Sequence, residues 1–156
     1  MIVYYRLPGL IADMALVIYM FILLLLLSTI KGIQLTLPGI AGIILSIGMA
    51  VDANVIIFER FKEELRLGKS LRTSLTSGYH KALRTILDSN ITTILAAVVL
   101  MIFGKGVIKS FAYTLTLGII VSMFTALFVT RWFLRLFMNI GIKNKVLYGG
   151  RRVEND

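Results

Sequence analysis

The chain has 156 residues, a formal net charge of +9 at pH 7 and a hydrophobic content of 58%, with a mean hydropathy of +0.88. This composition is typical of an integral membrane protein and excludes a separate soluble domain of ordinary size. The absence of cysteine excludes disulfides and thiol metal sites, and the single histidine argues against a zinc or haem centre. No catalytic triad order, phosphate-binding loop or paired cytoplasmic carboxylates stand out, so we expect neither an enzyme nor a cofactor.

Four apolar runs predict membrane-spanning helices. A hydrocarbon core of ~30 Å needs about 20 helical residues per crossing, and the runs lack the alternation of barrel strands. The predicted fold class is therefore all-α, a polytopic membrane helix bundle over residues 9–139. Residues 1–8 are interpreted as the end of a truncated transmembrane helix, and residues 140–156 as a basic cytoplasmic tail. The predicted spanning helices cover about 9–30, 37–58, 88–103 and 109–137.

Residues 61–87 are too charged to span a bilayer, yet apolar residues recur there mostly at spacings of three to four. This pattern is typical of an amphipathic helix lying on the cytoplasmic face of the membrane. Gly68 and Gly78 weaken a continuous helix, so we expect two shorter helices with a bend near Gly68-Lys69-Ser70. The simplest role of this segment is a connector that caps the bundle, and a docking surface for a soluble partner is the alternative.

Basic residues predict the orientation of the chain in a plasma membrane. One side carries only Lys31, Lys105 and Lys109, so the positive-inside bias predicts that the other side, with the C-terminus, is cytoplasmic. We expect these charges to face anionic lipid headgroups and not nucleic acid. The residues of the predicted cytoplasmic side are Arg6, Arg60, Lys62, Arg66, Lys69, Arg72, Lys81, Arg84, Arg131, Arg135, Lys143, Lys145, Arg151 and Arg152.

The second predicted helix contains an acid, Asp52, deep in its apolar sequence. Asp52 lies 15 residues after Leu37 and eight before Arg60, which places it about 12 Å from the cytoplasmic boundary. An ionised, unpaired carboxylate would be very costly there, so it must be protonated, paired or reached by water. Asp52 is therefore a candidate proton relay, and the alternative is a neutral acid that holds helices together.

Other polar residues accompany this acid. We interpret Asn54, Asp88, Asn90 and Thr92 as candidates for a hydrogen-bonding route beside Asp52. Asp88 is also placed to favour or cap the N-terminus of the third predicted helix. Glu59 and Arg60 are interpreted as an interfacial pair.

The second predicted helix also has a stripe of small residues at spacings of three to four. Such a stripe allows close approach of a neighbouring helix, so we expect this helix to be central in the bundle. The stripe consists of Gly39, Gly42, Ser46 and Ala50.

Several strings of the sequence match one known family. By these strings, residues 1 to about 139 resemble the C-terminal membrane region of SecD, a subunit of the SecDF accessory complex of bacterial Sec protein export, similar in membrane fold to the RND exporters. Asp-Ala-Asn followed by Phe-Glu-Arg is specific for SecD, since the helix of its sister SecF looks more like Asn-Asp-Thr with Phe-Asp-Arg. The matching strings are Leu37-Pro-Gly-Ile-Ala-Gly42, Gly48-Met-Ala-Val-Asp-Ala-Asn-Val-Ile-Ile-Phe-Glu-Arg60, Lys62-Glu-Glu64, Thr85-Ile-Leu-Asp-Ser-Asn-Ile-Thr-Thr93, Phe103-Gly-Lys-Gly106 and Phe111-Ala-Tyr-Thr-Leu115.

The resemblance implies a role in protein export driven by the proton-motive force. Asp52 matches the transmembrane acid implicated in proton flow, and the four spans match the third to sixth helices of the family. The implied partners are a SecF-like subunit, a SecYEG-type translocation channel, the translocating polypeptide, protons and membrane lipids. A full SecD carries a first helix and a large periplasmic domain ahead of this region, so we expect a truncated or divided subunit.

Three alternatives remain open at this point. An RND-like proton-coupled exporter of small molecules or lipids would share the intramembrane acid. A SecF-like subunit would share the export role. A purely structural membrane anchor or assembly factor would tolerate replacement of the acid.

Overall fold

The computed structural model of the chain describes residues 7–30 and 36–139. Within these ranges, four helices are long and apolar enough to cross a membrane: Pro8–Thr29, Leu37–Arg66, Leu71–Phe103 and Val107–Leu136. The same ranges contain no strand. The predicted all-α bundle is thereby confirmed. Its elements are α1 (Leu7–Thr29), α2 (Leu37–Arg66), α3 (Leu71–Phe103), α4 (Val107–Phe124), a π-helical segment (Thr125–Thr130) and α5 (Arg131–Asn139).

Helix α2 is the central element and packs against α4, α3 and α1. Its stripe of small residues lies against α4, where an ideal Cβ on Gly42 would be 3.0 Å from the Phe111 carbonyl oxygen. In the same contact, the Thr114 hydroxyl lies 3.0 Å from the Gly39 carbonyl and shares its one hydrogen between this carbonyl and two carbonyls of its own helix. Such close approach is what small residues permit in membrane helices. The expectation that this stripe contacts a neighbour is confirmed.

Helix α1 is attached to α2 by a buried pair of hydroxyl groups. The Tyr19 and Ser46 hydroxyl oxygens lie 2.8 Å apart, and the Ser46 hydroxyl also donates to the Ile43 carbonyl. Because a serine hydroxyl carries one hydrogen, Tyr19 is the donor to Ser46. Gly118 of α4 faces this pair without a side chain, so α1, α2 and α4 meet at one point.

The connection between α2 and α3 differs from the sequence expectation. The sequence predicted that the second helix ends near Phe58 and that the third begins at about Asp88, with an amphipathic segment over residues 61–87 on the membrane face. In the structure α2 continues to Arg66 and α3 begins at Leu71, so this segment extends both spanning helices. The segment extends the spanning helices because its apolar stripe is buried within the bundle and not against lipid headgroups. Members of the stripe in one buried cluster are Phe61, Leu65, Leu75, Tyr79, Ala82 and Ile86.

The two glycines of this segment have different roles. Gly68 has a φ of +82° and forms the turn of the hairpin, as predicted for the bend. Gly78 does not interrupt α3. An ideal Cβ there would lie 2.8 Å from the Phe61 backbone nitrogen and Cα, so its missing side chain lets α3 touch the α2 backbone. We call the end of the bundle formed by residues 60–80 and α5 the hairpin end.

The fourth predicted helix is divided by the π-helical segment Thr125–Thr130. A π turn accommodates one extra residue, which rotates the following residues by about 100° relative to a continuous α-helix. One of the segment's carbonyl groups, that of Leu127, accepts a hydrogen bond from the Tyr79 hydroxyl at 2.6 Å. The segment is thereby held against α3 at the hairpin end.

Candidate proton-relay site

Asp52 lies near the middle of α2, on a face turned away from the stripe that packs against α4. Its side chain is exposed in this chain, whereas the neighbouring Ala53 and Asn54 are buried. Gly48, one turn earlier, is also exposed, and an ideal Cβ there would find no heavy atom within 4 Å. Among the described residues, no hydrogen bond or ion pair to the Asp52 carboxylate is present. The chain thus presents Asp52 outward, with open space beside it.

Asp88 of α3 lies at the same height in the bundle as Asp52. The contact of Gly78 with Phe61 sets the register of the two antiparallel helices. Both helices rise about 1.5 Å per residue. Ten residues after Gly78 in α3 is Asp88, and ten residues before Phe61 in the antiparallel α2 is residue 51, so Asp88 is level with residue 51. Asp88 is exposed as well. Two carboxylates therefore stand at one depth on the outer surfaces of adjacent helices.

The early start of α3 changes the interpretation of Asp88. The sequence allowed Asp88 to cap the third helix, but the helix begins at Leu71, and Ser70 is its N-cap, accepting from the Thr73 backbone N–H at 3.3 Å. Asp88 lies in the interior of the helix, where its side chain has no free N–H to accept from. Thr92, also exposed, donates its hydroxyl to the Asp88 backbone carbonyl at 2.9 Å.

Asn54 and Asn90, in contrast, face the interior of the bundle. The Thr130 hydroxyl donates a hydrogen bond to Asn54 Oδ1 at 2.8 Å, and both side chains are buried. This bond joins the middle of α2 to the last residue of the π-helical segment. Asn90 continues the buried stripe of α3 that includes Ile86 and Ala97. The five candidate relay residues therefore divide into an outward set, Asp52, Asp88 and Thr92, and an inward set, Asn54 and Asn90.

Glu59 and Arg60 are each paired with a residue three positions away and not with one another. The Arg60 guanidinium lies 2.7 Å from the Glu63 carboxylate, and Lys62 Nζ lies 3.8 Å from the Glu59 carboxylate. Because α2 continues beyond Arg60, its own next turn supplies these partners. The Arg60–Glu63 pair is exposed on both sides, and exposed pairs of this kind contribute little to stability.

Sequence reasoning did not select Glu64, which is 1% exposed at the end of α2. Lys69 and Lys81 both form ion pairs with its carboxylate, Lys81 at 2.5 Å. A buried carboxylate requires such partners, and this cluster ties the turn to both helices of the hairpin. The available signal was the position of Glu64 within the apolar stripe between Phe61 and Leu65.

A second missed acid is Asp13, a half-buried residue in the first half of α1. The criterion that selected Asp52, a charge inside an apolar run, applies to Asp13 as well. Over residues 7–30 and 36–139, no group of three or more His, Asp or Glu side chains could hold a metal ion.

Long apolar helices with carboxylates at mid-helix define the chain as a polytopic membrane domain. A family model described as "Protein export membrane protein SecD/SecF, C-terminal" matches residues 1–139. The chain belongs to this SecD/SecF family, and the resemblance to SecD predicted from its motifs is confirmed.

Relatives and solved structures agree with this assignment. The chain is 55% identical over 154 residues to the protein translocase subunit SecD of Acidaminococcus fermentans, covering 97% of this chain and 36% of that protein. It is 53% identical over 138 residues to the protein translocase subunit SecDF of Bacillus subtilis, covering 88% and 19%. The crystal structure of SecDF from Thermus thermophilus superposes with a TM-score of 0.85 at 42% identity, covering 90% of this chain and 20% of that one. The chain thus spans about a third of the length of the SecD relative.

Proposed function

We propose that this chain is the membrane part of a Sec protein-export subunit that uses the proton-motive force to assist polypeptide translocation across the bacterial plasma membrane. The observation that carries the proposal is the position of Asp52, a carboxylate at mid-helix on the outer surface of the central helix. The relatives' names, protein translocase subunits, support the export role.

The proposed mechanism rests on the two protonation states of Asp52. An ionised carboxylate in the hydrocarbon core requires water or a cation, whereas the protonated acid can face apolar neighbours. Protonation and release therefore favour different contacts on the face that Asp52 shares with Gly48. One charge crossing ~100 mV contributes about 2.3 kcal/mol, which changes a two-state population roughly fifty-fold.

The residues around Asp52 have distinct proposed tasks. Asp88, at the same height and also exposed, and Thr92 extend the polar surface on which protons and water move. Asn54 transmits a displacement of α2 to the π-helical segment through its hydrogen bond with Thr130. Asn90 is the candidate polar group on the inner side of α3. Only Asp52 and Asp88 can change charge, so they define the proton-binding part of the site.

The proposed partner at the Asp52 face is a helix of a SecF-like subunit. An exposed carboxylate next to open space at Gly48 is unfavourable against lipid and favourable against a helix that brings a polar or cationic group. A SecYEG-type channel and the translocating polypeptide complete the proposed assembly. The basic hairpin end is proposed to be cytoplasmic, together with the C-terminus.

Replacement of Asp52 by Asn tests this function directly. The change keeps the volume and removes the titration, so we expect the proton-gradient-dependent part of polypeptide translocation to fall to background in vesicles that carry the complete export complex. Assembly with the SecF-like subunit, measured by co-purification, is expected to persist.

Asp13→Asn is the matched control, because it makes the same chemical change in another spanning helix at an acid that is half-buried, whereas Asp52 is exposed. We expect it to retain gradient-dependent translocation. Full gradient-dependent translocation in the Asp52→Asn complex would show that the chain acts only as a scaffold. Equal losses of translocation in the Asp52→Asn and Asp13→Asn complexes would contradict a specific role of Asp52.

A further inference from the structure

A cavity of about 360 Å³ opens at the hairpin end, between α3 and the segment where α4 passes into α5. None of the candidate relay residues lines it. Its walls are Tyr79 and Leu83 from α3 and, from the other side, Leu127, Phe128, Arg131, Trp132 and Arg135. The cavity is therefore a separate feature of the fold, built mainly from aromatic and basic side chains.

The π-helical segment forms part of the cavity wall through Leu127 and Phe128. Its carbonyl at Leu127 is bound by the Tyr79 hydroxyl, which fixes the segment to α3. Because the segment rotates the residues that follow it, Thr130 reaches inward to Asn54 while Arg131 turns to the cavity. The Arg131 guanidinium carbon lies 4.7 Å from the centre of the Tyr79 ring, a cation–π contact that orients it.

The charge of the cavity favours an anion. Arg131 and Arg135 are one helical turn apart and both line it, whereas no carboxylate does. Neither arginine forms an ion pair with a carboxylate of residues 7–30 or 36–139. Two guanidinium groups at this spacing present several N–H donors, and this geometry suits a phosphate group.

An apolar track leads away from the two arginines. Trp132 and Phe128 are 61% and 63% exposed, and the Phe128 ring lies 5.1 Å from the ring of Phe124, one turn further into α4. These side chains belong to a helix long and apolar enough to cross the membrane. Tryptophan at such a position is typical of the boundary between headgroups and acyl chains.

We propose that the cavity binds an anionic phospholipid, with the headgroup phosphate between Arg131 and Arg135 and an acyl chain along Trp132, Phe128 and Phe124. A free phosphate ion would contact the two arginines alone, and the apolar track would then have no role in binding. Basic pockets between membrane helices near a charged membrane surface are suited to anionic lipid headgroups. The proposal does not depend on the proton relay.

The single tryptophan of the 156-residue chain provides the probe, because Trp132 lines the cavity. The chain is placed in vesicles of equal phosphatidylcholine and phosphatidylglycerol content, with bromine-labelled acyl chains on one lipid or the other. We expect stronger quenching of Trp132 fluorescence by brominated phosphatidylglycerol. Arg131→Gln and Arg135→Gln should each reduce this preference about fivefold, equivalent to about 1 kcal/mol per basic residue.

Arg72→Gln is the matched control, since Arg72 is exposed in the first turn of α3 and does not line the cavity. It should keep the full preference. Should the glutamine variants fail to fold, Arg131→Lys and a salt titration of the unaltered chain replace them. The lysine variant should keep most of the preference, and rising salt should weaken it.

Four results would overturn the proposal. Equal quenching by both brominated lipids, or a preference that salt does not change, would exclude selection of an anionic headgroup. An equal loss in Arg72→Gln would assign the preference to overall charge. Displacement of brominated phosphatidylglycerol by inorganic phosphate would assign the cavity to a free ion.

Discussion

Asp52 and Asn54 are two residues apart in α2 and occupy opposite environments. At about 100° per residue, two positions along a helix differ by about 200° around its axis. Asp52 is consequently exposed while Asn54 is buried against Thr130. One short string of sequence thus supplies both a titratable group for the outer surface and an inner bond that holds the helix in place.

The Asn54–Thr130 bond is expected to stabilise the bundle measurably. Thr130→Val keeps the shape of the side chain but leaves the buried Asn54 oxygen without its donor, so we expect a loss of about 1 kcal/mol. Unfolding in detergent micelles measures this loss. In the double variant with Asn54→Leu, the combined cost should be smaller than the sum of the two single costs.

Thr92→Val is the control for this bond, because the exposed Thr92 hydroxyl donates only to a backbone carbonyl of its own helix. It should cost no more than a few tenths of a kcal/mol. Equal costs for Thr92→Val and Thr130→Val would show that the buried bond contributes nothing particular.

At the scale of elements, the α2–α3 hairpin depends on a backbone contact at Gly78. Gly78→Ala would bring a methyl group to 2.8 Å from Phe61 backbone atoms, which cannot move independently of α2. We expect a destabilisation of about 1–3 kcal/mol from this overpacking, despite the better helix propensity of alanine. Thermal unfolding of the purified chain measures it.

Gly48→Ala is the matched variant for Gly78→Ala. An added methyl group at Gly48 meets no atom within 4 Å, so helix propensity alone acts there. The isolated chain should become more stable by up to about 1 kcal/mol. If Gly48→Ala destabilised the chain as much as Gly78→Ala, the proposed difference between a packed and an open glycine would be contradicted.

The spanning helices were predictable, but two of their boundaries were not. Hydropathy is a local property, so the apolar runs and the turn at Gly68 could be recognised from sequence. The stripe of Phe61, Leu65 and Tyr79 is compatible with a surface helix and with two helices paired in a hairpin, and only tertiary packing decides between them. The π-helical segment is bonded to Tyr79, a residue far away in sequence, and has no local signature in Thr125–Thr130.

The candidate site was also predictable only in part. A carboxylate in an apolar run is visible in the sequence, so Asp52 could be selected. Whether the Asp52 side chain faces outward or inward could not be predicted, because the exposed and buried faces of α2 depend on which helices pack against it. The pairing of Glu64 with Lys81 and the height of Asp88 depend on the register between α2 and α3, which the contact at Gly78 sets.

At the scale of the whole molecule, the hairpin end and the turn after α3 should lie on opposite sides of the membrane. The chain has no cysteine, so single cysteines can be introduced without background. In spheroplasts, a membrane-impermeant maleimide should label the Lys105→Cys variant and leave the Arg72→Cys variant unlabelled until the membrane is opened. Both positions are exposed.

Unequal reactivity of the two thiols is controlled by labelling both variants in detergent, where they should react alike. Labelling of Arg72→Cys and not of Lys105→Cys in spheroplasts would reverse the proposed orientation. It would also place Glu64, and the cavity lined by Arg131 and Arg135, on the outer side of the membrane.

Helix α2 has 30 residues and is about 45 Å long, longer than the ~30 Å of a bilayer core. The backbone contact at Gly78 and the Glu64 ion pairs keep its far end joined to α3. The α2–α3 hairpin is therefore stiff along its length, and in the proposed function it pivots at Asp52 within the membrane. A tilt of about 10° around Asp52, some 21 Å from Arg66, would swing the tip sideways by about 4 Å and carry a small rearrangement at mid-bilayer out into the aqueous phase.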